Sequence, residues 1–165
     1  FDPEAEAEMS LLMKVVTAVR NIRGEMRISP SVPLRAILKP GIPADAERLS
    51  EHAALIRALA RAEVTVDALA TRPPASATAL VGTIECFVPL EGLVDLRAER
   101  ERLTKEIKKA DEEIRFLEGK LSRVEFRERA PAEIVAREER RLDEQRGNRA
   151  KRKEGLRRIN EAGAP

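Results

Sequence analysis

The chain has 165 residues, no Trp or Tyr and only 2% aromatics, which excludes a large aromatic-lined pocket. Charged residues reach 36%, above the roughly 25% of ordinary globular domains, and point to long solvated helices. Net charge is only +2, so basic character must lie in local patches.

One cysteine, Cys86, rules out an intrachain disulfide. Set among Ile84, Phe87 and Val88, it reads as a small buried hydrophobe, in keeping with a reducing cytoplasm. No apolar run approaches the ~20 residues of a membrane span, and the opening residues lack a signal-peptide layout. They read instead as a helix already under way, as in a piece of a longer chain.

Residues 2–28 are predicted to form that helix. Asp2 before Pro3 suits an N-cap with proline at the first helical position. Glu4, Glu6 and Glu8 complement the positive end of the helix dipole. Met9, Leu12, Val16, Val19, Ile22 and Met26 recur at threes and fours on one face, and "ISPSVP" ends the helix.

Residues 32–94 mix strands with a helix. "LRAILK" reads as a strand, 44–62 as one helix with Leu49, Ala53, Ile56 and Leu59 inward, and 63–69 as a second strand. "TALVGTIECFVPL" reads as two short strands hinged at Gly82. This is an α/β unit of three or four strands, too small for a large cleft.

Residues 95–165 are a charged arm. Leu96, Leu103, Ile107, Ala110, Ile114, Leu117, Leu121 and Val124 trace a heptad seam, interrupted only at Arg100. "EFRERAPAEI" breaks it, and a second helix runs from Pro131 to about Ile159. Two helices of similar length around one break imply an antiparallel hairpin reaching about 40 Å. The second helix carries Gln145, Arg149 and Arg152 on its seam and Gly147 and Gly155 in its interior, so its middle is expected to pair loosely. The fold class is thus α+β: an N-terminal helix, a small mixed unit, then a long antiparallel coiled-coil hairpin.

No catalytic constellation is apparent. His52 is the only histidine and lacks a second His or Cys partner at metal-ligand spacing, so no metal is expected. "KPG" and "VGT" lack the spacing of phosphate loops. The carboxylates lie in charge-alternating helices. The arm is more informative. Arg102, Lys108, Lys109, Arg115 and Arg123 fall away from the seam, and Phe116 with them, placed to stack on a base or simply to sit exposed. From 140 to 158, nine basic residues stand against three acids, among them Arg140, Arg141, Arg149, Lys151, Arg152 and Lys153. Such a cluster attracts phosphates; a merely solvated charged face is the competing reading.

Four stretches together resemble the C-terminal part of bacterial valyl-tRNA synthetases: "VVTAVRNIRGEMRISPSVPL" (15–34), "HAALIRALARAEV" (52–64), "FVPLEGLVDLRAERERLTKEI" (87–107) and "EGKLSRVEFRERAPAEIVAREERRL" (118–142). The resemblance implies that 1–31 is the last helix of the anticodon-binding bundle, 32–94 a connector, and 95–165 a coiled-coil arm that braces the tRNA elbow. It implies a valine tRNA as partner, with upstream domains of the same enzyme, a cytoplasmic setting, a monomer, and no cofactor in this chain. The ATP-using catalytic domain, with HIGH and KMSKS-type signatures, and the editing domain would lie upstream; neither signature occurs here. Arg20 and Arg23 would approach the anticodon stem or pair with upstream carboxylates. Two features depart from the family pattern: the polar seam of the second arm helix, and Arg127 where a small apolar residue is usual. The alternative is a protein-interaction module, with the seam from Leu103 to Val124 open to a partner helix.

Overall fold

The computed structural model describes residues 2–163; the outermost residues of the first and third expected segments lie outside them. The elements are α1 (Pro3–Glu25), β1 (Leu34–Lys39), α2 (Pro43–Glu51), α3 (Ala53–Ala60), β2 (Ala62–Val66), β3 (Ser76–Val81), β4 (Ile84–Pro89), α4 (Leu96–Ser122), α5 (Val124–Arg129) and α6 (Ala132–Ala162). They make two compact units. The body runs to Leu96 and resumes at Arg158; the arm is Arg97–Arg157. The α+β class expected from the sequence is the one observed.

In the body, α1 starts where its cap predicts. Asp2 is extended, and its Oδ1 accepts hydrogen bonds from the amides of Glu4 and Ala5 at 3.0 and 3.3 Å. The buried face runs Leu12, Val15, Val16, Val19, Ile22 and Met26; Met9, expected on it, is half exposed. The sheet has the order β2-β1-β4-β3. β1 and β2 are parallel, which requires a crossover, and α2 with α3 supplies it. β4 runs antiparallel to both β1 and β3. Val81 pairs with Ile84 across a two-residue turn whose first residue, Gly82, has φ +58°. Glycine is the residue that adopts this conformation without a Cβ clash, so the expected hinge is a tight hairpin turn. Leu34, Ala36, Leu38, Val64, Ala77, Ile84, Cys86 and Val88 form a buried set across the four strands. Burial pushes the Cys86 thiol up to about 12, so it stays a neutral core side chain.

Two boundaries differ from expectation. The helix read over 44–62 is two helices that kink at His52 (φ −107°, ψ 15°). The His52 amide still donates to the Arg48 carbonyl, and the Ile56 amide to that of His52, so the hydrogen-bonded path bends rather than breaks. No Pro or Gly stands there to announce it. The second strand ends at Val66, because Asp67 folds a turn: its Oδ1 accepts from the Leu69 amide at 2.9 Å and its carbonyl from that of Ala70. Leu69, taken as the last strand residue, is 90% exposed.

The arm is an antiparallel pair of long helices joined through α5. Leu103, Ala110, Ile114, Leu117 and Leu121 of α4 are buried, as the heptad reading requires. Ile114, Leu117, Leu121 and Leu142 make one apolar cluster, with Phe126 and Val135 packed against it. Val124, assigned to the seam, is exposed because Arg123 turns extended and Val124 opens α5 instead. Arg127, the departure from the family pattern, secures this turn. Its Nε donates to the Leu121 carbonyl at 2.6 Å, satisfying one of the open carbonyls ending α4, and its Nη1 donates to Glu139 at 3.0 Å on α6.

Candidate nucleic-acid interface

The middle of the arm is polar but tied together. Arg149 Nη1 donates to Asp111 Oδ1 at 2.8 Å, Arg152 Nε to Glu106 Oε2 at 2.7 Å, and Arg146 Nη2 to Glu118 Oε1 at 3.0 Å. Arg141 pairs with Glu113. From Arg146 through Arg149 to Arg152 on α6, the partners on α4 step back from Glu118 through Asp111 to Glu106, the register of an antiparallel pair. The loose stretch expected around Gln145, Arg149 and Arg152 is therefore bridged by guanidinium–carboxylate contacts rather than apolar packing.

These contacts sort the basic residues into two classes. Arg141, Arg149 and Arg152 are committed across the hairpin, and Arg102 is held along α4 by Glu99 at 2.7 Å and Glu106 at 3.0 Å. Lys108, Lys109, Arg115, Arg123, Arg140, Lys151 and Lys153 are exposed, and none has a carboxylate within ion-pair distance among the described residues. Those seven, and the exposed Lys105 beside them, are free to meet an anion.

One arrangement was missed in the sequence. Lys105, Lys109, Phe116 and Lys120 are spaced by four, seven and four, which sets them along one side of α4, and Arg123 follows just past its end. Phe116 is 61% exposed, as its position away from the seam predicts. The Lys120 ammonium lies 6.0 Å from the Phe116 ring centre and 5.0 Å from that of Phe126. The result is a row of cations around an exposed ring, suited to phosphates on a strand whose bases can stack. The signal for Lys105 and Lys120 was the same heptad spacing, read one position too narrowly.

The carboxylates respond to their partners. Burial pushes the Glu106 carboxyl up, but hydrogen bonds from Arg152 and Arg102 outweigh it and hold it below its ordinary value. The Arg149 hydrogen bond holds Asp111 below the usual range. A carboxyl depressed in the folded state stabilises it above the unfolded pKa, roughly 4, and that stability is lost as pH falls through the folded value. The arm is therefore expected to keep constant helicity from pH 8 to 5 and to loosen between pH 4 and 2. Circular dichroism of wild type against Glu106→Gln/Asp111→Asn checks this: the double variant should start weaker at pH 7 and lose the acid limb.

In the body, two candidates serve the fold. Arg23 is buried, and its guanidinium donates to the carbonyls of Ser29, Val32 and Arg61 at 2.8–2.9 Å. Burial first, and the neighbouring Arg61 second, lower its pKa. Arg20 Nε donates to the Leu59 carbonyl at 3.0 Å, joining α1 to α3. Near the kink, the His52 imidazole hydrogen-bonds Glu8 at 3.2 Å, and Glu51 stands beside them. This His/Glu/Glu group is the set of donors close enough to share a cation among the described residues, and a Glu8–His52 bond accounts for its geometry.

Residues 95–160 match the family model described as "Valyl tRNA synthetase tRNA binding arm". Over 143 residues, 86% of its length, the chain is 41% identical to the valine–tRNA ligase of Geobacter sulfurreducens, and covers 16% of that protein. It is 40% identical over 137 residues, 82% of its length, to the valine–tRNA ligase of Desulfotalea psychrophila, covering 15% of it. The chain belongs to the valyl-tRNA synthetase family, as its C-terminal region. It spans about one sixth of the length of these relatives. No helix among the described residues is long and apolar enough to cross a membrane.

Proposed function

We propose that this chain is a non-catalytic tRNA-positioning region of a valine–tRNA ligase, with the arm contacting the tRNA elbow. The observation that carries the reading is the row Lys105, Lys109, Phe116 and Lys120 along α4, with Arg123 just past its end, on a segment that matches the family's arm. A two-helix hairpin buries too little surface to hold a small molecule, but it carries charge far along its axis. With Arg102, Arg141, Arg149 and Arg152 engaged by carboxylates, the free cations supply the phosphate contacts: Lys108, Lys109, Arg115, Arg123, Arg140, Lys151 and Lys153, with Lys105. The ring of Phe116 offers a stacking face for an exposed base.

Under this reading α1 is the last helix of an anticodon-binding bundle, and the sheet unit connects it to the arm. The valine tRNA is the partner, the enzyme works as a cytoplasmic monomer, and ATP chemistry belongs to domains upstream. The competing reading, an apolar seam open to a partner helix, loses its main support, because α6 runs the length of α4 and Leu103, Ile114, Leu117 and Leu121 are buried within one chain.

Titrating the purified chain with valine tRNA and an unrelated tRNA at two salt concentrations tests the proposal. Binding should weaken steeply with salt and differ little between the tRNAs, since phosphates carry no sequence information. Incubation with ATP, valine and tRNA should give no charged tRNA. Salt-insensitive self-association in light scattering, without RNA binding, would favour the helix-exchange module instead.

A further inference from the structure

The last turns of α6 have the pattern of a core element, not of a helix end. Helix ends exposed to water fray and bury little. Here Ile159 is 0% and Ala162 3% exposed, and Arg158 is 7%. Arg158 Nη1 donates to Glu25 Oε2 at 2.5 Å, at the C-terminal end of α1. Thr78 Oγ1 on β3 donates to Glu161 Oε2 at 2.8 Å, and the Arg72 guanidinium donates to the Glu161 carbonyl. Thr78 is the cross-strand partner of Phe87, so it lies on the sheet face opposite Leu38 and Cys86. Phe87 and Ser76 on that face are buried although most of its other residues are charged or exposed.

We infer that residues 158–162 complete the body by covering this second sheet face, so that the arm is an insertion between Leu96 and Arg158 rather than a tail. The partners they meet are Glu25, Arg72 and Thr78, the last on the same sheet face as the buried Phe87, and the occupant is the chain's own "RINEA" segment. Two side chains of opposite charge, Arg158 and Glu161, meet Glu25 on one side and Thr78 on the other, which fixes the register of the segment. The family match assigns residues to 160 to the arm, so the boundary drawn by the body's packing falls inside it. A stop codon after Leu96 would therefore remove a piece of the body along with the arm, and the RNA binding lost in such a truncation would report both.

The test is amide hydrogen exchange on the full-length chain carrying Ile159→Ala, with Glu161→Gln as the milder variant. Truncating a fully buried Ile should speed exchange in β3 and β4 by at least about tenfold. Exchange in α4 between Leu103 and Leu121 should stay unchanged. Glu161→Gln should act in the same place with smaller size. Faster exchange in α4 with β3 and β4 unaffected would overturn the inference, as would no change anywhere. A second comparison removes 97–157 internally, bridged by a Gly/Ser linker, against a stop after Leu96. The internal deletion should retain cooperative melting and the truncation should not; equal behaviour counts against the assignment. None of these readouts involves RNA, so the inference and the tRNA reading fail independently.

Discussion

Replacing Lys105, Lys109 and Arg123 together with Ala should weaken tRNA binding about a hundredfold near 0.15 M salt. Each phosphate contact contributes ~0.7–0.9 to the log–log salt slope, which at that concentration is about fivefold in affinity. Three contacts compound to roughly two orders of magnitude and flatten the slope by about 2 to 2.7. All three side chains are exposed and make no ion pair among the described residues, and Arg123 offers no side-chain cap to α5, so arm folding should be undisturbed. Phe116→Ala should behave differently: affinity falls by the ~1–3 kcal/mol of a lost stack while the slope stays constant. Filter binding across four salt concentrations, with circular dichroism as the folding control, separates the two. An unchanged slope in the triple variant would mean that this side of α4 does not meet phosphate, and the interface would have to be sought around Arg140, Lys151 and Lys153 instead.

Most of the fold was legible because its signals are local. Asp2-Pro3 specifies a helix start by cap and dihedral alone, Gly82 specifies a hairpin turn by its positive φ, and the four-three stepping of α4 specifies its buried side. What escaped depends on partners far away in sequence. The kink at His52 has no local breaker. The end of α6 reads as more arm, since "RRINEA" is as charged and as helical as what precedes it; only Glu25, Arg72 and Thr78 make it part of the body. The same holds for the candidate interface. Composition marked the basic stretch, and spacing marked Phe116 as exposed. Which arginines were free could not be read from one helix, because Arg149 and Arg152 find Asp111 and Glu106 about forty positions earlier. Arg23 shows the reverse: it was expected to meet an anticodon stem or an upstream carboxylate, and it is buried with three backbone carbonyls of its own chain as acceptors.

Leu117→Ala should be the most damaging single change in the arm. Leu117 is 0% exposed and lies in an apolar cluster of the hairpin, with Ile114, Leu121 and Leu142. Truncation leaves a cavity in a core too small to repack, and buried Leu→Ala changes cost about 2–5 kcal/mol. The ionic half of the hairpin sets Leu103 and Ala110 beside its charged pairs. The Arg149–Asp111 and Arg152–Glu106 partners are about a third exposed, and solvent-screened pairs of that kind contribute little each. The two halves should therefore respond to different variables. Leu117→Ala should lower arm stability by a similar amount at 0.1 and 1 M salt, because apolar burial is not screened. Arg149→Met with Arg152→Met should cost little at 1 M and more at 0.1 M, where the pairs are least screened. Amide exchange read separately over Leu103–Leu121 and over 146–153 gives both quantities in one sample. If Leu117→Ala is tolerated while the arginine pair proves indispensable at every salt concentration, the hairpin is held by its ionic middle, and the apolar cluster beside the turn only follows.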